Sequence, residues 1–336
     1  MASKSSARTA LWVAGGAGLA LAVALLLRSG VPDILRLLDM AGWRLLWLVP
    51  LHVIPMACMG AAWEALLDDA DKPGLGYLTW GAIVRESVSG LLPVARVGGE
   101  VAGVRLLVRR GVSSATAGAS VIVELTLTMI AQVLFAATGL ALLAGYPSIG
   151  RAGRLVAVGL LVSVVAIAGF VIVVRKWGSA VFSMFLRVVQ GLTGGEGDEA
   201  AEPGSAAAAR FHAALHSMYG NRRALVACGL WQLFGFFTQA LEVWVTLRLL
   251  GSPASARTSI VLESMAVAVQ SAMFMVPAGV GTQEAGFLLF GGAVGLTPQV
   301  ALALSLSRRV RQILLGVPGL ISWYWTERRA SRTARA

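Results

Sequence analysis

Charge is what this sequence is shortest of: Asp, Glu, Lys and Arg together make up 13% of its residues, about half the share of a typical soluble domain. That scarcity excludes a soluble enzyme or binding module as the body of the chain. Cysteine occurs twice and histidine three times, too few for a disulfide framework or a Cys/His metal cluster. Cys58 and Cys228 both lie in apolar segments and read as small core residues. No Gly-x4-Gly-Lys-Ser/Thr run occurs, so nucleotide hydrolysis is not expected. Gly279 and Gly281 follow no strand pattern, which rules out a dinucleotide fingerprint. His212 and His216 stand four apart but lack an acidic third ligand at motif spacing, so no metal or other cofactor is expected.

What the sequence does have is apolar length. Hydrophobic residues make up 57% of the 336, and runs of about 17 to 25 residues, enough to cross a bilayer, recur from end to end. The expected fold is therefore an all-α integral membrane protein, 1–336 forming a single membrane domain. Full spans are expected at about 11–28, 43–67, 117–146, 153–174, 223–250 and 299–325, about six in all. The first follows Lys4 and Arg8 as a signal peptide would. Arg28 to Pro32 offers no small-x-small cleavage site, so it is expected to be retained.

The net charge of +11 is scattered over segment ends and the tail, with no basic domain to hold a duplex, so nucleic acid is not an expected partner. Placed by the positive-inside rule, the basic residues put both termini in the cytoplasm of a bacterial inner membrane. The basic tail 326–336, with Arg328, Arg329, Arg332 and Arg335, suits anionic lipid headgroups.

Two apolar stretches, near 77–110 and 259–295, are broken by Pro, paired Gly and charge. Broken backbone at membrane depth is tolerated only where protein or a wet cavity satisfies it, so each is a candidate re-entrant helical hairpin. The acidic, Ala/Gly-rich segment 193–209 has the composition of a flexible cytoplasmic loop. It separates a first half, 11–192, from a second, 210–325. Laying Pro93 on Pro277 aligns Pro-Val-Ala-Arg-Val-Gly-Gly-Glu100 with Pro-Ala-Gly-Val-Gly-Thr-Gln-Glu284, and the same register puts Ser87 on Ser271 and Gly111 on Gly295. Three expected spans separate the two hairpins, so the repeats are expected to be inverted, as in alternating-access transporters.

Buried charge carries the functional signal, since each ionised group at a helix centre costs about 2.5 to 3.5 kcal/mol on insertion scales. The candidate substrate-binding and transport residues are Arg96, Gly98, Gly99, Glu100, Pro277, Gly279, Gly281, Glu284 and Arg308. In both motifs a helix breaker and glycines precede a carboxylate where the next helix starts, a terminus suited to an anionic group; Glu100 and Glu284 also suit simple capping. Arg85, Glu86, Glu124, Glu263 and Arg311 are expected to form structural ion pairs, with Glu124 paired to Arg308, its equivalent in the repeat.

The segment from Glu86 through Leu125, with Leu-Pro-x4-Gly-Gly-Glu, and Val276 to Glu284 followed by the helix carrying Arg308 resemble the lysylphosphatidylglycerol synthase transmembrane, flippase-like family. Within it the chain is most similar to the hopanoid-biosynthesis-associated membrane proteins. The family's second motif usually has Gly where this chain has Ala278, a mild departure. The resemblance implies a lipid-translocating domain with Arg96, Gly98, Gly99, Glu100, Pro277, Gly279, Gly281 and Glu284 in its polar core. It also implies that the soluble aminoacyl-transfer domain of larger relatives is missing here, so no lipid lysylation is expected. The expected function is translocation of an amphipathic lipid, a hopanoid or an anionic or glycolipid, with carboxylates available for proton coupling. The alternative is an intramembrane lipid-modifying enzyme, or a partner of lipid-biosynthesis enzymes, using Glu100 and Glu284 as an acid-base pair.

Overall fold

The computed structural model describes residues 31–67, 72–91, 97–144, 206–272 and 282–333, with isolated helical positions at 158, 161, 169 and 172. The described residues are helical, without strands. In chain order the helices are α1 (Val31–Ala41), a 3-10 turn (Gly42–Trp47), α2 (Leu48–Glu64), α3 (Leu75–Leu91), α4 (Val97–Arg109), α5 (Ser114–Leu143), α6 (Ala206–Gly220), α7 (Arg222–Leu249), α8 (Ala256–Ala272), α9 (Thr282–Ala293) and α10 (Pro298–Thr333).

Among the described residues, three stretches are long and apolar enough to cross a membrane: Leu35–Glu64, Ser114–Leu143 and Arg222–Leu249. They fall on the spans expected at 43–67, 117–146 and 223–250. The protein is an integral membrane protein. Ile130 and Leu134 on α5 and Leu230 and Phe234 on α7 are exposed large apolar side chains, as outward faces bathed by lipid require. The spans expected at 11–28 and 153–174 lie outside the described residues, isolated positions apart. The segment expected at 299–325 is part of one 36-residue helix, about 54 Å long at 1.5 Å per residue. Arg308, Arg309 and Arg311 interrupt its apolar character, and the helix continues into the expected basic tail as far as Thr333.

Helix ends follow local chemistry. Ala206 to Ala209, expected to be loop, instead open α6, because four consecutive alanines carry the highest helix propensity. Ser113 caps α5, its Oγ accepting from Thr116 N at 3.1 Å, and Asn221 caps α7. Pro55 sits inside α2, where it withholds one backbone donor. The α2–α7 crossing runs close by, at Gly235 against Cys58.

The two halves carry the same plan. At the offset that lays Pro93 on Pro277, Ser114 falls on Pro298, so α5 and α10 start at equivalent positions; α4 and α9 both end there as well. Gly111 and Gly295 have φ of +91° and +85°. Each ends its helix with a 6→1 bond from the next residue, Val112 N to Leu107 O at 3.2 Å and Leu296 N to Gly291 O at 2.8 Å, the Schellman arrangement that favours glycine at C′.

Packing exchanges arms between the halves. The antiparallel pair α3/α4, tied by a bond from Tyr77 Oη to Leu106 O at 2.9 Å, lays α3 against α10 of the second half. Correspondingly, α8 of the pair α8/α9 lies against α5 of the first half, and α2 packs on α7. Close approach is bought with small residues: a Cβ on Gly319 would meet Ser87 Oγ, and one on Gly139 would meet Ser264. Each half therefore lacks a complete core without the other.

Candidate functional site

Arg85 of α3 is the centre of the first polar cluster. It is buried, and an isolated ion there would be costly unless paired and hydrogen-bonded. Its Nη1 donates to Glu124 Oε2 of α5 at 2.6 Å and its Nη2 to Glu100 Oε2 of α4 at 2.5 Å. Gln232 of α7 donates to the other Glu124 oxygen at 3.2 Å. The guanidinium lies 4.7 Å from the ring centroid of Trp63, an attractive cation-π arrangement, and Trp63 Nε1 donates to Ser120 Oγ at 3.1 Å. Two glycines make room: a Cβ on Gly103 would stand 2.9 Å from Arg85 Cδ, and one on Gly99 would stand 2.5 Å from Arg85 O.

The second cluster joins the halves. His52 of α2 is buried, with Nε2 3.0 and 3.2 Å from the oxygens of Glu86 on α3. Its Nδ1 lies 2.8 Å from Glu242 Oε2 on α7 and 2.7 Å from Arg311 Nη1 on α10. Arg311 also bonds Glu242 directly and stands 4.0 Å from Glu86. Glu242 and Arg311 are almost wholly enclosed, whereas the Glu86 side chain is 32% exposed. It opens on a small crevice lined by His52, Glu86, Ser87 and Gln312 among others, with about 10 Å³ of free volume, room for roughly one water.

In the second half, Arg308 Nη2 donates to Glu263 Oε1 at 2.8 Å with both buried, and Glu263 Oε2 has no hydrogen-bond partner among the described residues. Arg309 Nε donates to Glu284 Oε1 at 3.3 Å. Glu100 and Glu284 each lie in the first turn of their helix, where a carboxylate is favoured by the helix dipole.

Among the expected site residues, Glu100 joins Arg85, while Glu284 and Arg308 stand in the second-half pairs. Gly99 serves helix approach, its absent Cβ clearing the α3 backbone; Gly98 is half-buried beside it. Arg96, Pro93, Pro277, Gly279 and Gly281 lie outside the described residues. The expected pair of Glu124 with Arg308 does not form: Glu124 bonds Arg85 and Arg308 bonds Glu263. Repeat-equivalent groups meet only close to the symmetry axis, and α5 and α10 instead pack against the hairpin arms of opposite halves. Glu86, Arg311, Glu263 and Arg85 each stand in an ion pair in this structure.

Sequence reasoning missed His52, Glu242 as its partner, Gln232 and Trp63. The available signal was a histidine in the middle of an apolar run, one turn before Pro55. His212 and His216, which do stand out in the sequence, are exposed on α6, and no group of three metal-capable side chains occurs among the described residues.

A membrane bundle with buried ion pairs has a counterpart among known families. The family description "Lysylphosphatidylglycerol synthase TM region" matches residues 12–319. The chain belongs to that family. No curated protein matches the sequence. The lysylphosphatidylglycerol synthase TM region therefore spans nearly the whole chain, and membership makes the protein's function membrane- and lipid-related.

Proposed function

We propose that this protein translocates an amphipathic lipid between the leaflets of the bacterial inner membrane. The observation that carries the reading is the ionic cluster of His52, Glu86, Glu242 and Arg311, contributed by both halves and opening on a crevice at their junction. Charge is retained inside a membrane bundle mainly where it serves a polar route or a moving part. Here the charges lie where two similar halves meet, the place where rocking of one repeat against the other exposes a site to alternate sides.

In this reading α3/α4 and α8/α9 are re-entrant hairpins of inverted repeats, with about six full spans around them and both termini cytoplasmic. In this reading Glu100, Glu284 and Arg308 handle the lipid headgroup, and Arg96 and the motif glycines are further candidate substrate-binding residues. A hopanoid, or an anionic or glycolipid, fits such a route: an apolar body that stays in lipid and a polar head that needs charged partners. The protein acts as a transporter, not an enzyme, and takes no cofactor.

The test is leaflet exchange of headgroup-labelled lipids in proteoliposomes, read by quenching of outward-facing label. Wild type should expose label beyond the outer leaflet, and folded Glu100→Gln and Glu284→Gln variants should lose most of that excess. No exchange with any lipid class, hopanoids included, sinks the proposal. Lipid mass spectrometry of a deletion strain separates the enzymatic alternative, which alone requires a lipid species to appear or vanish.

A further inference from the structure

His52 is held in an arrangement that cannot satisfy all of its neighbours in one protonation state. An ionised carboxylate only accepts hydrogen bonds and a guanidinium only donates them, yet Nδ1 lies 2.8 Å from Glu242 Oε2 and 2.7 Å from Arg311 Nη1. With a proton on Nδ1, the imidazole donates to Glu242 and faces the Arg311 N–H groups without an acceptor. With Nδ1 bare, it accepts from Arg311 and leaves Glu242 Oε2 without its donor. Among the described residues Nε2 faces the Glu86 oxygens, at 3.0 and 3.2 Å, and donates to them in both states.

The remaining charge around the ring is accounted for. From α3 comes Glu86, from α7 Glu242 and from α10 Arg311, with Arg308 one turn earlier on α10 and paired to Glu263 of α8. Glu124 of α5 is held by Arg85 and Gln232. Arg44, in the 3-10 turn next to α2, is exposed. The crevice lined by His52 and Glu86 has room for about one water, a place where a proton from bulk hydronium can be relayed to the cluster.

We infer that His52 is a proton-binding site, and that its occupancy decides whether α2 of the first half is hydrogen-bonded to the carboxylate of α7 or to the guanidinium of α10 in the second. One Nδ1–H bond forms as one O–H bond of hydronium drawn from bulk solvent breaks and leaves neutral water, and the link between the halves is re-paired. The use of this link, setting when the halves move, rests on the translocation reading; the proton site itself does not.

The chain has three histidines, so 15N-histidine labelling of the full-length protein in nanodiscs resolves them, His52 being assigned by its loss in His52→Gln. As the pH rises from about 4.5 to 9 its nitrogens should pass from the doubly protonated ring to a neutral ring with Nδ1 bare, and Glu86→Gln should move the midpoint while keeping the ring in place. One unchanging protonation state throughout overturns the inference. In the same lipids, exchange should follow the titration, changing by up to about tenfold per pH unit on its flank, and that dependence should be absent in His52→Gln. Exchange that keeps the wild-type pH profile in His52→Gln also overturns the coupling. A titrating His52 with no lipid exchange at any pH upholds the proton site and removes the translocation reading instead.

Discussion

The two halves share helix starts, glycine turns and first-turn carboxylates, yet they wire their buried charges with opposite polarity. In the first half the arginine sits on the hairpin arm, Arg85 on α3, and the carboxylate on the long helix, Glu124 on α5. In the second half the carboxylate is on the hairpin arm, Glu263 on α8, and the arginine on the long helix, Arg308 on α10. Among the described residues, Arg85 serves two carboxylates, whereas Arg308 serves one and leaves Glu263 Oε2 without a partner. The backbone plan tolerates either polarity because what the membrane penalises is unpaired charge, not its sign. The halves are thus copies in architecture and complements in electrostatics.

That contrast is broken most severely at Arg85. Arg85→Met strands Glu100 and Glu124 together, and losing one partner of a buried pair typically costs about 3 to 5 kcal/mol. Arg308→Met strands one carboxylate, Glu263, in place of two. Thermal unfolding in detergent, followed by size-exclusion recovery, should therefore show Arg85→Met as clearly the more damaged variant. Equal losses would mean that Glu100 is not held by Arg85 in the membrane.

A smaller effect sharpens the same point. Adding Glu124→Gln to Arg85→Met removes one stranded charge, and the double variant should recover about 1 to 3 kcal/mol of the loss, the usual coupling between contacting residues. Adding Glu124→Gln to Arg308→Met should recover nothing, because those side chains are partners of other groups. Recovery there, measured by the same unfolding assay, would revive the Glu124 to Arg308 pairing that the structure replaces.

Part of the architecture was legible from sequence for a physical reason: glycine turns and carboxylates at helix starts act locally, so Gly111 and Glu100 could be matched to Gly295 and Glu284 by spacing alone. The three long apolar helices were legible for the same reason. The pairing of charges was not. His52 meets partners 190, 34 and 259 positions away in the chain, and a lone histidine in an apolar run carries no spacing signal. Glu124 was matched to the wrong arginine because the repeat gives equivalence, while contact depends on which arm is exchanged between halves. Ala206 to Ala209 were lost to the loop because an acidic, glycine-rich neighbourhood outweighed four alanines.

Helix crossings give a third, milder comparison. A methyl on Gly139 of α5 would run into Ser264 Oγ and Cβ of α8, whereas one on Gly316 of α10 would meet Leu91 Cδ1 of α3, the movable end of a long side chain. Alanine gains about 1 kcal/mol of helix propensity over glycine, and overpacking costs about 1 to 3 kcal/mol. Gly139→Ala should come out destabilised and Gly316→Ala close to neutral in thermal unfolding. The reverse order would show that the α5–α8 contact is looser than the α3–α10 contact.

The mildest perturbation asks whether the repeat is energetic as well as geometric. Gly111 and Gly295 occupy equivalent positions, hold φ of +91° and +85°, and have nothing within 4 Å of where a Cβ would stand. Packing therefore contributes equally little at both sites, and the cost of alanine reduces to left-handed backbone strain, about 1 to 2 kcal/mol. Gly111→Ala and Gly295→Ala should lower the unfolding temperature by matching amounts, and the double variant by their sum, since separated sites add. A site that tolerates alanine freely would have a different turn in the membrane, and the two halves would then differ in their backbones and not only in the placement of their charges.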